Sequence, residues 1–191
     1  MTTLLDEIFS KIGPLPSADI DKLERILESA TKGQRWVPNP GPQTEAYKSK
    51  ADVLLFGGSA GGGKSELLLG LAFTHHKRSL ILRRQYTDLG AIIERALQIN
   101  GTREGFNGSP PPKLRTPDKR LVEFGAAAKI GDEEHWQGQQ HSLLGLDEVA
   151  QFHEKQVRFL MGWVRSTDPR ERCRVVMTSN PPMNVDGQWI V

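Results

Sequence analysis

The run Gly58-Ser59-Ala60-Gly61-Gly62-Gly63-Lys64-Ser65 fits the pattern G-x-x-x-x-G-K-[ST]. Glycines let a backbone wrap an anion with its N–H groups pointing inward. A helix starting at the lysine would add the positive end of its dipole. Lys64 would then reach the β- and γ-phosphates of a nucleoside triphosphate, and the Ser65 hydroxyl would ligate Mg²⁺. A second constellation is Leu143-Leu144-Gly145-Leu146-Asp147-Glu148, an apolar run ending in two acids. If that strand runs parallel to the one before the glycine-rich loop, its end lies beside the phosphates, where open α/β sheets bind ligands. Asp147 would hold Mg²⁺ through a water, and Glu148 could take the proton of an attacking water. Adjacent residues leave a strand in different directions, so the two acids can have different roles. An acid that follows the metal ligand favours hydrolysis over transfer to another acceptor.

Two weaker signals flank these. Val175-Val176-Met177 runs into Thr178-Ser179-Asn180-Pro181-Pro182, and Ser179 or Asn180 could hydrogen-bond a terminal phosphate or its water. The Asn-Pro-Pro sequence would also favour a plain turn there. Gln43 follows Pro40-Gly41-Pro42, and a side-chain amide can read the N6 donor and N7 acceptor of adenine together. Other chemistries find less support. Cys173 is the only cysteine, which excludes an internal disulfide, and it lies among Arg170, Arg172 and Arg174 with no partner for nucleophilic work. His75 and His76 are adjacent, so on a helix they point about 100° apart. His135, His141 and His153 lack metal-ligand spacing.

The elements that must position these residues are readable. Val53–Phe56, Ser79–Arg83, Ser142–Leu146 and Arg174–Thr178 are short apolar runs expected as buried strands, and Lys64–His75, Thr87–Ile99 and Glu154–Val164 carry helical patterns. Lys113–Arg115 and Arg120–Phe124 could pair as a hairpin, whereas Gly105–Pro112, rich in glycine and proline, reads as a loop. Alternating strands and helices with continuous apolar strands imply a mainly parallel sheet with helices on both faces; together with the glycine-rich loop this resembles the α/β fold of a P-loop NTPase, expected to be of the RecA-like, additional-strand type. Residues 1–35 are expected to form a helical appendage and linker: Ser17 could cap a helix with Ile20, Leu23, Leu27 and Ala30 on one stripe, and Gly33 would end it. Trp36–Pro42, with three prolines, reads as extended chain entering the ATPase domain, residues 36–191.

The chain has 191 residues, room for one domain and a small appendage, with 37% hydrophobic and 25% charged residues. A net charge of +2 is too small to argue nucleic-acid binding by itself. Basic residues do cluster at Lys77-Arg78, Arg83-Arg84 and Arg165–Arg174, and they read either as solvated helix ends or as a surface facing phosphates. No apolar run of ~18 residues is present, and the N-terminus lacks the basic start and apolar core of a signal peptide.

As an ordered set, these motifs resemble the ATPase domain of the large terminase subunit of tailed bacteriophages. The likeness rests on Pro40-Gly-Pro-Gln43, Phe56–Ser65, Leu82-Arg-Arg-Gln-Tyr-Thr-Asp-Leu89, Trp136-Gln-Gly138, Leu146-Asp-Glu-Val149 and Thr178–Pro182. The resemblance implies an ATPase that drives viral double-stranded DNA into a procapsid, with Gln43 as adenine reader and Ser179-Asn180 coupling hydrolysis to motion. It implies a portal protein, a small terminase subunit and double-stranded DNA as partners, a homo-oligomeric ring on the portal, and a monomer in isolation. The expected location is the host cell cytoplasm, at the procapsid portal and not in the mature virion. A helicase-like DNA translocase, a small-molecule kinase and a non-hydrolysing docking module are the competing readings. Two departures stand out. The chain ends at Val191, leaving no room for the family's RNase H-like nuclease, and so reads as truncated, with no nuclease activity expected. Many large terminases place an arginine before a glycine eleven residues ahead of the catalytic glutamate. That position (148 − 11) is Gln137, followed by Gly138. A neutral amide cannot supply a finger's charge, so Arg165 is the first candidate for the role, Arg158 the second and Arg84 the third.

Overall fold

The computed structural model describes residues 33–59, 61–182 and 185–190. The expected helix from Ser17 to Ala30 lies outside the described residues, as does Ala60 of the phosphate loop. No helix among the described residues is long and apolar enough to cross a membrane.

The elements run in order as α1 (Pro42–Lys48), β1 (Val53–Gly57), α2 (Lys64–Thr74), β2 (Arg78–Arg83), α3 (Leu89–Asn100), β3 (Phe106–Asn107), β4 (Lys113–Arg115), β5 (Leu121–Ala126), β6 (Leu143–Leu146), α4 (Glu154–Met161) and β7 (Arg174–Ser179). Single 3₁₀ turns cover Tyr86–Asp88, Asp132–Trp136, Val149–Gln151 and Val185–Ile190. One seven-stranded sheet has the order β1-β7-β6-β2-β5-β4-β3. The strands from β1 to β5 in this order are parallel, and β4 and β3 close the edge antiparallel. The strand β7 thus lies between the phosphate-loop strand β1 and the acidic strand β6, which is the additional-strand arrangement expected from the sequence.

Alternation along each strand sends side chains to two different cores. Ile81, Phe124, Leu143 and Val176 face α2 and α3, whose Leu67, Leu68, Leu71, Ile92 and Ala96 close that side. Leu80, Leu82, Leu144, Leu146 and Val175 face the other way, against Trp136, Phe152, Val157 and Leu160. Helix α2 is buried from Leu67 through Phe73 because α1, α3 and the Trp36 segment cover what the sheet does not. Trp36 explains Gly70: a Cβ there would sit 2.3 Å from the Trp36 ring, so only glycine lets the indole lie on the helix.

Several boundaries differ from the sequence reading. Gly105–Pro112 is not wholly loop. Phe106 packs against the α2–α3 core and pairs with Leu114, which makes β3. The turn into it requires Gly105, with φ +77 and a Cβ position only 2.1 Å from the Arg115 carbonyl. Pro42 does not end an extended linker but opens α1, where its missing N–H costs nothing. Tyr86–Asp88 is a 3₁₀ turn, so α3 begins at Leu89 and ends, as the Asn100-Gly101 pair implies, on a left-handed Gly101. Helix α4 stops at Met161 before Gly162, and Val164 instead bridges His141 alongside the start of β6. The chain's last described turn is tied down as well: Trp189 Nε1 donates to the Phe152 carbonyl at 3.0 Å.

Candidate nucleotide site

Strand register does most of the assembly. Pairing Leu82 with Leu146 sets Arg83 next to Asp147. Pairing Leu146 with Met177 sets Asp147 next to Thr178, and pairing Gly57 with Ser179 sets the loop entrance next to Asn180. The carboxyl ends of β1, β7, β6 and β2 therefore present Lys64, Asn180, Asp147, Glu148 and Arg83 side by side.

The loop between β1 and α2 turns through Gly58, Gly61 and Gly63, with φ of +150, +83 and +70. Gly63 is held on two counts, since a Cβ would also lie 2.4 Å from Gln43 Nε2. Gly58 N–H donates to the Ser179 carbonyl at 3.2 Å, which fastens the loop entrance to β7. Lys64, 7% exposed, turns back into the loop. Its Nζ donates to the Gly58 carbonyl (3.2 Å), the Ser59 carbonyl (2.7 Å) and Asn180 Oδ1 (3.0 Å). Gly62 lines the same turn, with a Cβ position 3.4 Å from the Ser59 carbonyl.

Asp147 is fully buried. Its carboxylate accepts from Ser65 Oγ, which lies 3.0 and 2.9 Å from its two oxygens, and from Thr178 Oγ1 at 2.7 Å. Arg83 adds Nε at 2.8 Å and Nη2 at 2.5 Å, an ion pair with one wholly enclosed partner. Glu148 is half-buried and takes a left-handed backbone, φ 55 and ψ 52, rare for a residue with a Cβ. That turn aims its carboxylate at Asn180, whose Nδ2 donates to Oε1 at 3.1 Å and whose backbone N–H donates to Oε2 at 3.3 Å. One amide thus touches Lys64 through Oδ1 and Glu148 through Nδ2.

Ser179, the other candidate on that tip, faces away. Its hydroxyl donates to the Asn180 carbonyl at 2.7 Å and accepts from Ala150 N–H at 3.3 Å. Gln43 is buried with its amide already engaged: Oε1 accepts from Asn39 N–H (2.5 Å) and Nε2 donates to the Gly63 carbonyl (2.7 Å). A base read by both ends of this amide must displace or share those partners. Beside it opens a cleft of about 420 Å³ lined by Trp36, Asn39, Gln43, Glu66, Arg95 and Ile99.

The three arginines proposed as fingers do not reach this chain's own site. Arg158 is exposed and pairs with Glu154 one turn away on α4. Arg84 is spent on the Gln151 carbonyl (3.0 Å), Gln156 Oε1 (3.2 Å) and the His153 ring (3.2 Å). Arg165 does not end α4. It sits at the opposite end of β6, its N–H donating to the His141 carbonyl, about 20 Å along the strand from Asp147. Its Nη2 donates to the Gly138 carbonyl at 2.8 Å, beside exposed Gln137. The sequence reading left Arg83 and Thr178 without a role. The signal for both was strand-end position next to Asp147, which needs the strand order to read.

No family model and no curated protein matches the sequence. Solved structures do match. The large terminase of bacteriophage HK97 superposes with a TM-score of 0.54 at 15% identity over 76% of this chain and 34% of that one. The large terminase of the thermophilic bacteriophage D6E gives 0.53 at 14% identity, covering 73% and 38%. The same D6E protein in complex with ATP-gamma-S gives 0.52 at 16%, covering 73% and 37%. The chain spans little more than a third of the length of these proteins, and at such identities the likeness is one of fold. With its additional strand between the phosphate-loop and acidic strands, the chain carries a large-terminase-like P-loop α/β fold.

Proposed function

We propose that this chain binds Mg-ATP through Gly58–Ser65 and hydrolyses it, and that hydrolysis drives double-stranded viral DNA into a procapsid. The observation that carries the reading is the contact chain Lys64–Asn180–Glu148 beside Ser65–Asp147, five side chains from three parallel strand ends converging on one loop. The donor set suits Mg²⁺. Among the described residues no three His, Cys, Asp or Glu side chains cluster into a protein cage. Mg²⁺ commonly takes one or two protein oxygens and draws the rest from phosphates and water, and Asp147 with the Ser65 hydroxyl offers such a pair. When bound, Mg²⁺ would neutralise charge on the β- and γ-phosphate oxygens.

The chain's own residues divide the remaining work. Lys64, enclosed by loop carbonyls, exchanges those acceptors for phosphate oxygens. Glu148 accepts the proton of the attacking water, and Asn180 holds that carboxylate by two N–H donors. Gln43, beside the 420 Å³ cleft, is the group best placed to read adenine. Double-stranded DNA, a portal protein, a small terminase subunit and further copies of the chain in a ring on the portal are the partners we propose, in the cytoplasm of the infected host. The motor reading draws its support from the likeness in fold to large terminases.

The test is inorganic phosphate release by the full chain, with and without DNA, for wild type and Glu148→Gln. Glu148→Gln should keep Mg-ATP binding and lose turnover by ~10² or more. Loss of binding instead would make Glu148 a structural residue. Wild-type binding without any turnover, alone or with DNA and portal, would leave a docking module.

A further inference from the structure

The end of the sheet opposite the phosphate loop holds a second cavity, about 350 Å³, between the last turns of α1 and α2 and the segment entering β7. Its walls carry Lys48, Arg170, Arg172 and Arg174 against a single carboxylate, Glu171. Arg170 is paired with Asp168, and Arg172 with Asp52. Arg174 has no carboxylate partner among the described residues. It is 3% exposed, its Nε donates to the Ala51 carbonyl at 3.2 Å, and its Nη2 is buried without an acceptor among the described residues. Just beyond the carboxyl end of α2, the His76 carbonyl is taken by Arg120 Nη1 at 2.8 Å. Enclosing a cation without a hydrogen-bonded carboxylate is costly, and burial, then neighbouring Arg172, lowers the Arg174 pKa, with the charge of Asp52 opposing.

His76, 2% exposed, belongs to the wall of the same cavity, and its Nε2 is a second buried nitrogen without a partner among the described residues. Its proton can be placed. Ser142 Oγ lies 2.7 Å from Glu171 Oε1 and 3.1 Å from the Arg78 carbonyl, so its one hydroxyl proton belongs to an oxygen acceptor. The 3.2 Å contact between His76 Nδ1 and Ser142 Oγ then requires Nδ1–H to donate. Nε2 is left as a bare acceptor, and the ring stays neutral, its pKa held down to about 4 by burial and by Arg174. Glu171 makes no ion pair with Arg174; it accepts from Lys77 N–H at 2.6 Å and from the Ser142 and Ser166 hydroxyls.

A ligand that satisfies both orphans must accept from a guanidinium and donate to an imidazole. We infer that this cavity is a binding site for a phosphate group that keeps a hydroxyl, either inorganic phosphate or a singly protonated phosphomonoester. Such a group offers anionic oxygens to Arg174 and Lys48 and one O–H to His76 Nε2. Sulfate and phosphodiesters match the cation and have nothing to donate. The site lies at the far end of the sheet from the nucleotide loop and does not depend on the function proposed above.

The experiment is a phosphorus NMR titration of the full chain carrying Lys64→Ala, which removes the phosphate-loop lysine from the reading. At pH about 5.5, where a phosphomonoester keeps one proton and His76 is still neutral, inorganic phosphate and phenyl phosphate are the two ligand arms, with dimethyl phosphate as the diester control and sulfate as a competitor. Phosphate should bind at one site. Sulfate should compete at least tenfold more weakly, and dimethyl phosphate should bind as weakly as sulfate. Lys48→Glu, on the exposed rim, should weaken phosphate severalfold without touching the core, and Arg174→Gln should weaken it tenfold or more. If phenyl phosphate matches inorganic phosphate, the ligand is a monoester, and if it is excluded, the ligand is free phosphate. No phosphate binding in the Lys64→Ala chain overturns the site, as does binding that Lys48→Glu leaves unmoved. Equal affinity for sulfate and phosphate overturns the assignment of the His76 acceptor.

Discussion

Replacing Arg83 by glutamine should have two effects of opposite sign, and together they distinguish a charge partner of Asp147 from a packing residue. Asp147 has no exposed surface, whereas the Arg83 side chain is 23% exposed. Removing one partner of a buried ion pair typically costs ~3–5 kcal/mol, because the other charge is left enclosed. The Ser65 and Thr178 hydroxyls still serve the carboxylate, and water reaches Arg83, so about 2–3 kcal/mol is the reasonable loss. For a chain of this size each kcal/mol moves Tm by roughly 2–4 °C, giving a fall of about 4–12 °C in metal-free buffer. Removing the guanidinium also takes a positive charge from beside the carboxylate offered to a divalent cation. Mg²⁺ affinity in the presence of ADP should therefore rise by about tenfold, or ~1.4 kcal/mol. The assay is thermal denaturation of wild type and Arg83→Gln at fixed ADP across a Mg²⁺ titration. A Tm change under about 2 °C, or a Mg²⁺ midpoint that moves upward, would refute the reasoning.

Gln43→Ala should weaken ATP binding by about tenfold and GTP binding by less, measured by competition for a fluorescent nucleotide, since ~1.4 kcal/mol is in the range of one good amide–base contact. Equal losses would show that the amide only holds Asn39 to Gly63. Arg165→Ala should lower turnover of the assembled motor by ~10³ if this arginine, set beside Gln137 and Gly138, acts on a neighbouring copy. Mixing it with inactive Glu148→Gln should then restore part of the activity, whereas full activity of Arg165→Ala in the assembly would rule it out. His76 gives a pH prediction. Burial first, then Arg174 and His75, hold its pKa at about 4 against 6.5, with Glu171 opposing. The unfolded chain takes up that proton first, so stability is lost as pH falls from about 6.5 to about 4. Urea unfolding in phosphate-free buffer should show about 2 kcal/mol lost between pH 7 and 5, a loss that His76→Gln removes. Below pH 4.5 a separate loss follows, as Glu123, held at about 2 by His141 and Lys113, is protonated. A wild-type midpoint unchanged between pH 7 and 5 would contradict the buried neutral ring.

The parallel sheet was legible because its strands are continuous apolar runs, and the loop because three glycines run directly into Lys64-Ser65, where α2 opens. Local pattern could not supply register. Arg83 belongs with Asp147 only because β2 lies next to β6, which their separation in sequence does not reveal. The same holds for β3, a strand of two residues created by the burial of Phe106 rather than by β-propensity. The tip of β7 illustrates a finer limit. Ser179 and Asn180 are equally polar and equally near the end of the strand, but successive side chains leave in opposite directions. Ser179 therefore meets Ala150, and Asn180 meets Lys64 and Glu148. Which of the two faces the loop depends on where the strand's alternation starts, and that is set by burial of Val176 on one face and Val175 on the other.

Strand order also explains why one amide can join Lys64 and Glu148. Because β7 runs between β1 and β6, its tip is a neighbour of both the glycine-rich loop and the acidic turn. An extra strand at any other position would touch at most one of them. The Asn180 amide is fixed in orientation by chemistry: Lys64 can only donate and the Glu148 carboxylate can only accept, so Oδ1 must face the lysine and Nδ2 the glutamate. Under the proposed function, a phosphate drawing Lys64 Nζ away from Oδ1 alters one end of a side chain whose other end holds the proposed base. The left-handed backbone of Glu148 makes that hold consequential. A non-glycine residue held in that region carries strain on the order of 1–3 kcal/mol, and the Asn180 N–H and Nδ2 contacts to its carboxylate oppose relaxation. Weakening either contact shifts the balance toward a different backbone at Glu148 and hence at the Val149–Gln151 turn that follows it. Under the proposed function, the state of the loop and the position of Glu148 are thus linked through β7 by the hydrogen bonds of Asn180, without any domain movement.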